Sequence, residues 1–60
     1  MNWLQIDDLR WTGGDTSGNT AELTLMVGTW VVAVNGKQVG NATALVDAQR
    51  LAEFNAKLRV

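Results

Sequence analysis

The sequence predicts an α+β domain, an antiparallel meander of three or four strands with one C-terminal helix packed on one face. Three observations carry that prediction. Two neighbouring segments divide their side chains between two faces with a period of two, residues 20–27 by alternating apolar and polar positions and residues 30–35 as Trp30, Val32 and Val34 against Val31 and Ala33. Asn35-Gly36 is the strongest short-range hairpin signal, because a type I′ turn needs positive φ at both central residues. From Ala44 onward the apolar period becomes 3.6.

Residues 2–12 read as a first strand with a break expected at Asp7-Asp8, a helix being the alternative. Leu9 and Trp11 share one face of its second half, and Leu4 and Ile6 share the other face of its first half. Residues 12–19, rich in Gly, Ser, Thr, Asn and Asp, form a polar loop. The next strand, about 20–27, sets Ala21, Leu23, Leu25 and Val27 on an inner face and Glu22, Thr24 and Met26 on an outer one. Gly28-Thr29 suits a two-residue type II′ turn, which pairs Val27 with Trp30, Leu25 with Val32 and Leu23 with Val34. Every pair then falls on one face, so turn length and alternation agree on one register.

After strand 30–35 the Asn-Gly turn places Lys37 opposite Val34 and Val39 opposite Val32, and Gly40 closes a short strand, 37–40. A helix over about 44–58 follows, with Ala44, Ala48, Leu51, Ala52 and Leu58 on its inner arc. Thr43 or Asn41 is expected to cap it, with Asp47 at its positive end and Lys57 and Arg59 at its negative end. Ala48 and Ala52, one turn apart, let the helix lie close on the sheet, over Trp30. The whole chain, 1–60, reads as one domain.

A chain of 60 residues buries only about 60% of the surface its unfolded form exposes. It has no Cys and no His, so neither a disulfide nor a Cys/His zinc site supplements the core, and self-association is the remaining common remedy. Charges of both signs are interspersed and sum to −1, which provides no chain-wide attraction to phosphate. The N-terminal residues lack the basic head and apolar stretch of a secretory signal, and no apolar run approaches the roughly 18 residues of a membrane span. A cytoplasmic protein with no membrane association is expected.

Catalytic chemistry finds few candidates. Ser17 has no base to activate it. Asp7 and Asp8, adjacent in a strand, point to opposite faces and cannot readily share a proton or a metal. The run Gly13 to Gly18 lacks the lysine and the strand-to-helix setting of a phosphate-binding loop. Asn41-Ala42-Thr43 matches a glycosylation acceptor, but helix capping suits a cytoplasmic chain better. No enzyme activity, cofactor or metal is expected.

What remains is a surface. The sheet face away from the helix carries Glu22, Thr24, Met26, Val31, Ala33 and Gln38, more apolar than a solvated face needs to be. Met26, Val31 and Ala33 are adjacent there and are the candidate protein interface, extended by Leu4 and Ile6 unless the N-terminal segment or the long loop folds across it. Trp3, near the chain start, is the tryptophan assigned to an interface, while Trp11 and Trp30 are assigned to the core. A protein partner, and a homodimer through this open face, follow as expectations.

Trp30 at a strand start, the Asn35-Gly36 turn, Gly40, and Ala48 with Ala52 followed by Glu53 resemble the βββα pattern of AP2-type and integrase arm-binding domains. That resemblance implies a sheet face that meets DNA through basic residues. The open face expected here has neither Lys nor Arg, so nucleic acid is not the expected partner, and a DNA-binding accessory domain stands as the alternative. The short, Trp-rich, cysteine-free chain also resembles, in style, small orphan proteins of βββα type encoded by phages and prophages. This likeness implies a non-catalytic protein that binds and blocks a host protein, including components of defence systems, and it transfers no functional residue.

Overall fold

The computed structural model describes residues 1–58. Its element order is β1 (Asn2–Asp7), β2 (Arg10–Gly14), β3 (Thr20–Met26), β4 (Thr29–Val34), β5 (Lys37–Ala42) and α1 (Leu45–Leu58). The strands form one antiparallel meander in sequence order, and α1 packs on β3, β4 and β5. The expected class is therefore observed, with one strand more than expected: the sheet has five.

The additional strand arises where the sequence suggested only a break. Asp8 and Leu9 form a two-residue turn between Asp7 and its partner Arg10. No Gly or Asn marks this turn; the Asp7 side chain closes it. Asp7 Oδ1 accepts the Leu9 backbone N–H at 2.8 Å, and Oδ2 accepts Arg10 Nε at 3.1 Å and Nη2 at 3.0 Å. Ile6 is the unpaired residue of a bulge between Gln5 and Asp7.

The β3–β4 turn consists of Val27 and Gly28, one residue earlier than predicted, and both have positive φ, 51° and 72°. The inner pairs are consequently Ala21 with Val34, Leu23 with Val32 and Leu25 with Trp30. Partners move by two residues, so no side chain changes face. The polar groups at the other end of the hairpin explain the choice. Thr20 N–H donates to Asn35 Oδ1 at 2.9 Å, Asn35 N–H donates to Thr20 O at 2.8 Å, and Asn35 Nδ2 donates to Asn19 Oδ1 at 2.9 Å. The predicted register would have put Ala21 opposite the Asn-Gly turn and lost these bonds.

In β5 the bulge lies between the partners of Val32 and Ala33, so Gly40 rather than Val39 stands opposite Val32, and the strand continues to Ala42. Gly40 thus does not close the strand. It makes room for the helix, since a Cβ there would lie 2.9 Å from Leu51 Cδ2. Asn41, a predicted cap, sits instead in β5 opposite Val31. Arg59, expected near the negative end of the helix, lies outside the described residues.

Leu23, Val32 and Val34 are fully buried beneath Ala48, Ala52 and Ala56, which form a methyl stripe down the inner face of α1. The stripe brings the helix axis close to the sheet, and each large buried side chain contributes about 1.5–3 kcal/mol. Leu58, predicted to face inward, is exposed, and Ala56 takes the place on the arc assigned to it. Trp30 is buried as predicted, and no polar side chain is buried among the described residues.

Candidate contact surface on the open sheet face

Strand pairing places the outer side chains in rows that cross the sheet. One row runs Leu4, Thr12, Glu22, Ala33, Gln38, and the next runs Arg10, Thr24, Val31, Asn41. Val31 and Ala33 follow each other along β4, both half-buried, and Met26, opposite Thr29, is the diagonal neighbour of Val31 and is 57% exposed. Met26, Val31 and Ala33 therefore meet in one patch, flanked by Thr24, Asn41, Glu22 and Gln38. Leu4 shares the face but lies three strands from Ala33, roughly 14 Å at the usual strand spacing. With Ile6 it forms a second apolar spot at the β1 edge instead of extending the first.

No element among the described residues covers this face. The helix lies on the opposite side, and the N-terminal segment pairs in the plane of the sheet as β1. The 15–19 loop bends toward the helix, where Asn19 Nδ2 lies 3.4 Å from Ala56 O. The loop is held by its own polar groups: Asp15 accepts the backbone N–H groups of Ser17 and Asn19 at 2.9 Å and the Asn19 side chain at 3.0 Å. Those bonds lower the Asp15 pKa below its ordinary value, the Asn19 side chain contributing most.

Trp3 does not join the patch. It stands opposite Gly13 on the helix side, where its ring occupies the space a side chain at Gly13 would need, and its Nε1–H donates to Glu53 Oε2 at 3.0 Å. This contact ties the first strand to the helix across 50 residues of sequence and fills the margin that α1 leaves over β1 and β2. The indole belongs to the core-side packing.

Two residues at this surface escaped the sequence reading. Arg10 lies on the open face, because its partner Thr24 does; once Asp8-Leu9 is seen as a turn, alternation from Trp11 is enough to place it. Its charge is matched by Asp7, whose carboxyl is held below its ordinary value chiefly by the Leu9 N–H and then by the guanidinium. Val27, expected to pack inward against Trp30, stands fully exposed at the hairpin tip (103%) beside Met26. The only signal for it was the glycine that follows.

A shallow cleft of about 390 Å³ lies between the 15–18 loop and the end of α1. Asp15 and Glu53, its carboxylates, are engaged with Asn19 and Trp3. Among the described residues no group of three or more His, Cys, Asp or Glu is placed to hold a metal ion, and no helix is long and apolar enough to cross a membrane. Comparison with protein families, curated proteins and solved structures finds no match to this chain.

Proposed function

We propose that this protein is a non-catalytic binding module that receives another protein on the open face of its sheet. The observation that carries this reading is the uncovered patch of Met26, Val31 and Ala33 on a face that the chain's own helix, loop and N-terminal segment all leave free. A contiguous apolar patch left open to solvent and rimmed by polar residues is the kind of surface that marks a contact site. The polar frame of Thr24, Asn41, Glu22 and Gln38 supplies hydrogen-bonding groups around an apolar centre, the arrangement common to protein interfaces. In this reading the protein works in the cytoplasm, self-associates, and acts as a phage-encoded inhibitor of a host protein. Support for the inhibitory role is the likeness in size, composition and lack of catalytic groups to phage-borne orphan proteins.

Capture from host lysate on immobilised protein, run beside Val31→Asp, tests the surface. A protein retained by the wild type and lost with a folded Val31→Asp variant supports it, and equal retention overturns it. The alternative, a DNA-binding accessory role, is met by titrating mixed-sequence duplex with salt. Affinity of about micromolar that falls steeply with salt would establish phosphate contacts and replace the present reading.

A further inference from the structure

We infer that the β1 edge pairs with β1 of a second copy, joining two sheets into one of ten antiparallel strands and leaving both open faces free for the partner protein. The inference rests on the reading of the chain as a self-associating interaction module and names the surface that carries self-association.

β1 is the first strand of the sheet order, so among the described residues one side of its backbone meets no other strand. It is held in place from behind: Trp3 is fixed to Glu53, and the Met1 side chain packs with the core. Natural edge strands are blunted by Lys, Pro, bulges in their middle or a covering element. β5, the other edge, has such protection in Lys37 and a bulge beside Gly40. β1 has none along Asn2–Gln5; its bulge falls at Ile6, and on the open face it shows Leu4, 66% exposed, and Ile6, 53% exposed.

A second copy fits this edge. Keeping both helices on one side requires that paired residues share a face, so the two residue numbers in each pair must sum to an even number. Among such registers, the one centred on Leu4 sets Leu4 against Leu4 of the other copy and Trp3 against Gln5, with Asn2 reaching the bulge residue Ile6 at either end. No charged residue lies in that span, and the two Asp7 carboxylates fall at opposite ends of the seam. The helices stay clear of it, because α1 lies over β3 to β5 and reaches β1 through the Trp3–Glu53 contact on the helix side of the sheet. Face-to-face association through Met26, Val31 and Ala33, the other way to form a dimer, would bury Glu22 and use the surface assigned to the partner.

Sedimentation velocity over a wide concentration range tests the inference, with wild type beside Leu4→Lys and Val31→Asp, each checked for folding by circular dichroism. The expected result is a concentration-dependent dimer that Val31→Asp retains and Leu4→Lys loses, because like charges would then stand directly opposite. Leu4→Cys provides a second readout in a chain that has no other cysteine. Directly opposed residues have Cβ atoms about 4.5–5.5 Å apart, so mild oxidation should cross-link the pair, whereas Val31→Cys should remain single. A wild type that is monomeric at every concentration overturns the inference and leaves lysate capture to judge the partner reading. A dimer that Leu4→Lys keeps and Val31→Asp breaks places self-association on the face instead, and likewise overturns it.

Discussion

The Trp3 indole lies against Gly13 so closely that a Cβ on the glycine would come within 2.7 Å of ring atom Cε3. The ring cannot easily retreat, because its Nε1–H is bonded to Glu53 on the helix. Gly13→Ala should therefore destabilise the protein by about 1–3 kcal/mol, the usual cost of overpacking. The corresponding clash at Gly40 is with a terminal methyl of Leu51, which a rotamer change can move. Gly40→Ala should accordingly cost less, and Leu51→Ala in the same chain should reduce that cost. Urea denaturation of the three single variants and the Gly40→Ala, Leu51→Ala double variant measures this; equal losses at Gly13 and Gly40 would contradict it.

Val27 should be replaceable with a gain in stability. A β-branched residue at φ 51° is disfavoured by roughly 1–2 kcal/mol, and its fully exposed side chain recovers little of this through packing. Asn tolerates the left-handed region, as Asn35 does at φ 53° in the next turn. Val27→Asn should raise stability by about 0.5–1 kcal/mol, a Tm increase of roughly 3–8 °C for a domain this small. Calorimetry showing no increase would contradict this.

Ala52 is fully buried between α1 and the sheet. Ala52→Leu adds volume where helix and strands already touch, and should cost about 1–3 kcal/mol or more. That is a large share of the roughly 3–9 kcal/mol expected for 60 residues. A substantially lowered thermal midpoint with loss of near-ultraviolet dichroism is the expected outcome; an unchanged midpoint would show that the helix can lift without penalty.

Acid should weaken the fold through its two turn carboxylates. Asp7 and Asp15 both lie below their ordinary value of 3.8, Asp7 chiefly through the Leu9 N–H and Asp15 chiefly through the Asn19 side chain. A carboxylate whose folded pKa is below its unfolded one stabilises the protein fully above about pH 4, and loses that contribution as pH falls through the folded value. Urea midpoints should thus be flat from about pH 7 to 5 and decline below about 4. The decline should be shallower in a variant carrying Asp7→Asn and Asp15→Asn, and an equal decline in that variant would remove these groups as its cause.

By itself the sequence determined the features that depend on neighbouring residues. Alternation in β3, the two-faced apolar run of β4 and the Asn35-Gly36 turn define strands and their faces, and the change of period at Ala44 defines a helix that must bury its alanine stripe. The interface candidates on β3 and β4 were placed on the right face for the same reason, since a two-residue change of register preserves the face. Tertiary structure alone decided what depends on partners distant in sequence or on side chains that close a turn. Asp7 makes a hairpin of a stretch with neither Gly nor Asn, which creates β2 as a separate strand and puts Arg10 on the open face. The Asn19, Thr20 and Asn35 bonds select the β3–β4 register and expose Val27. Pairing with Gly13 sets Trp3 on the helix side, where Glu53, 50 residues away, receives its indole N–H, and Leu4 and Ile6 are left as the apolar side chains at the free edge. Alternation records which way a side chain points; which backbone, carboxylate or ring it meets is settled only when the strands assemble.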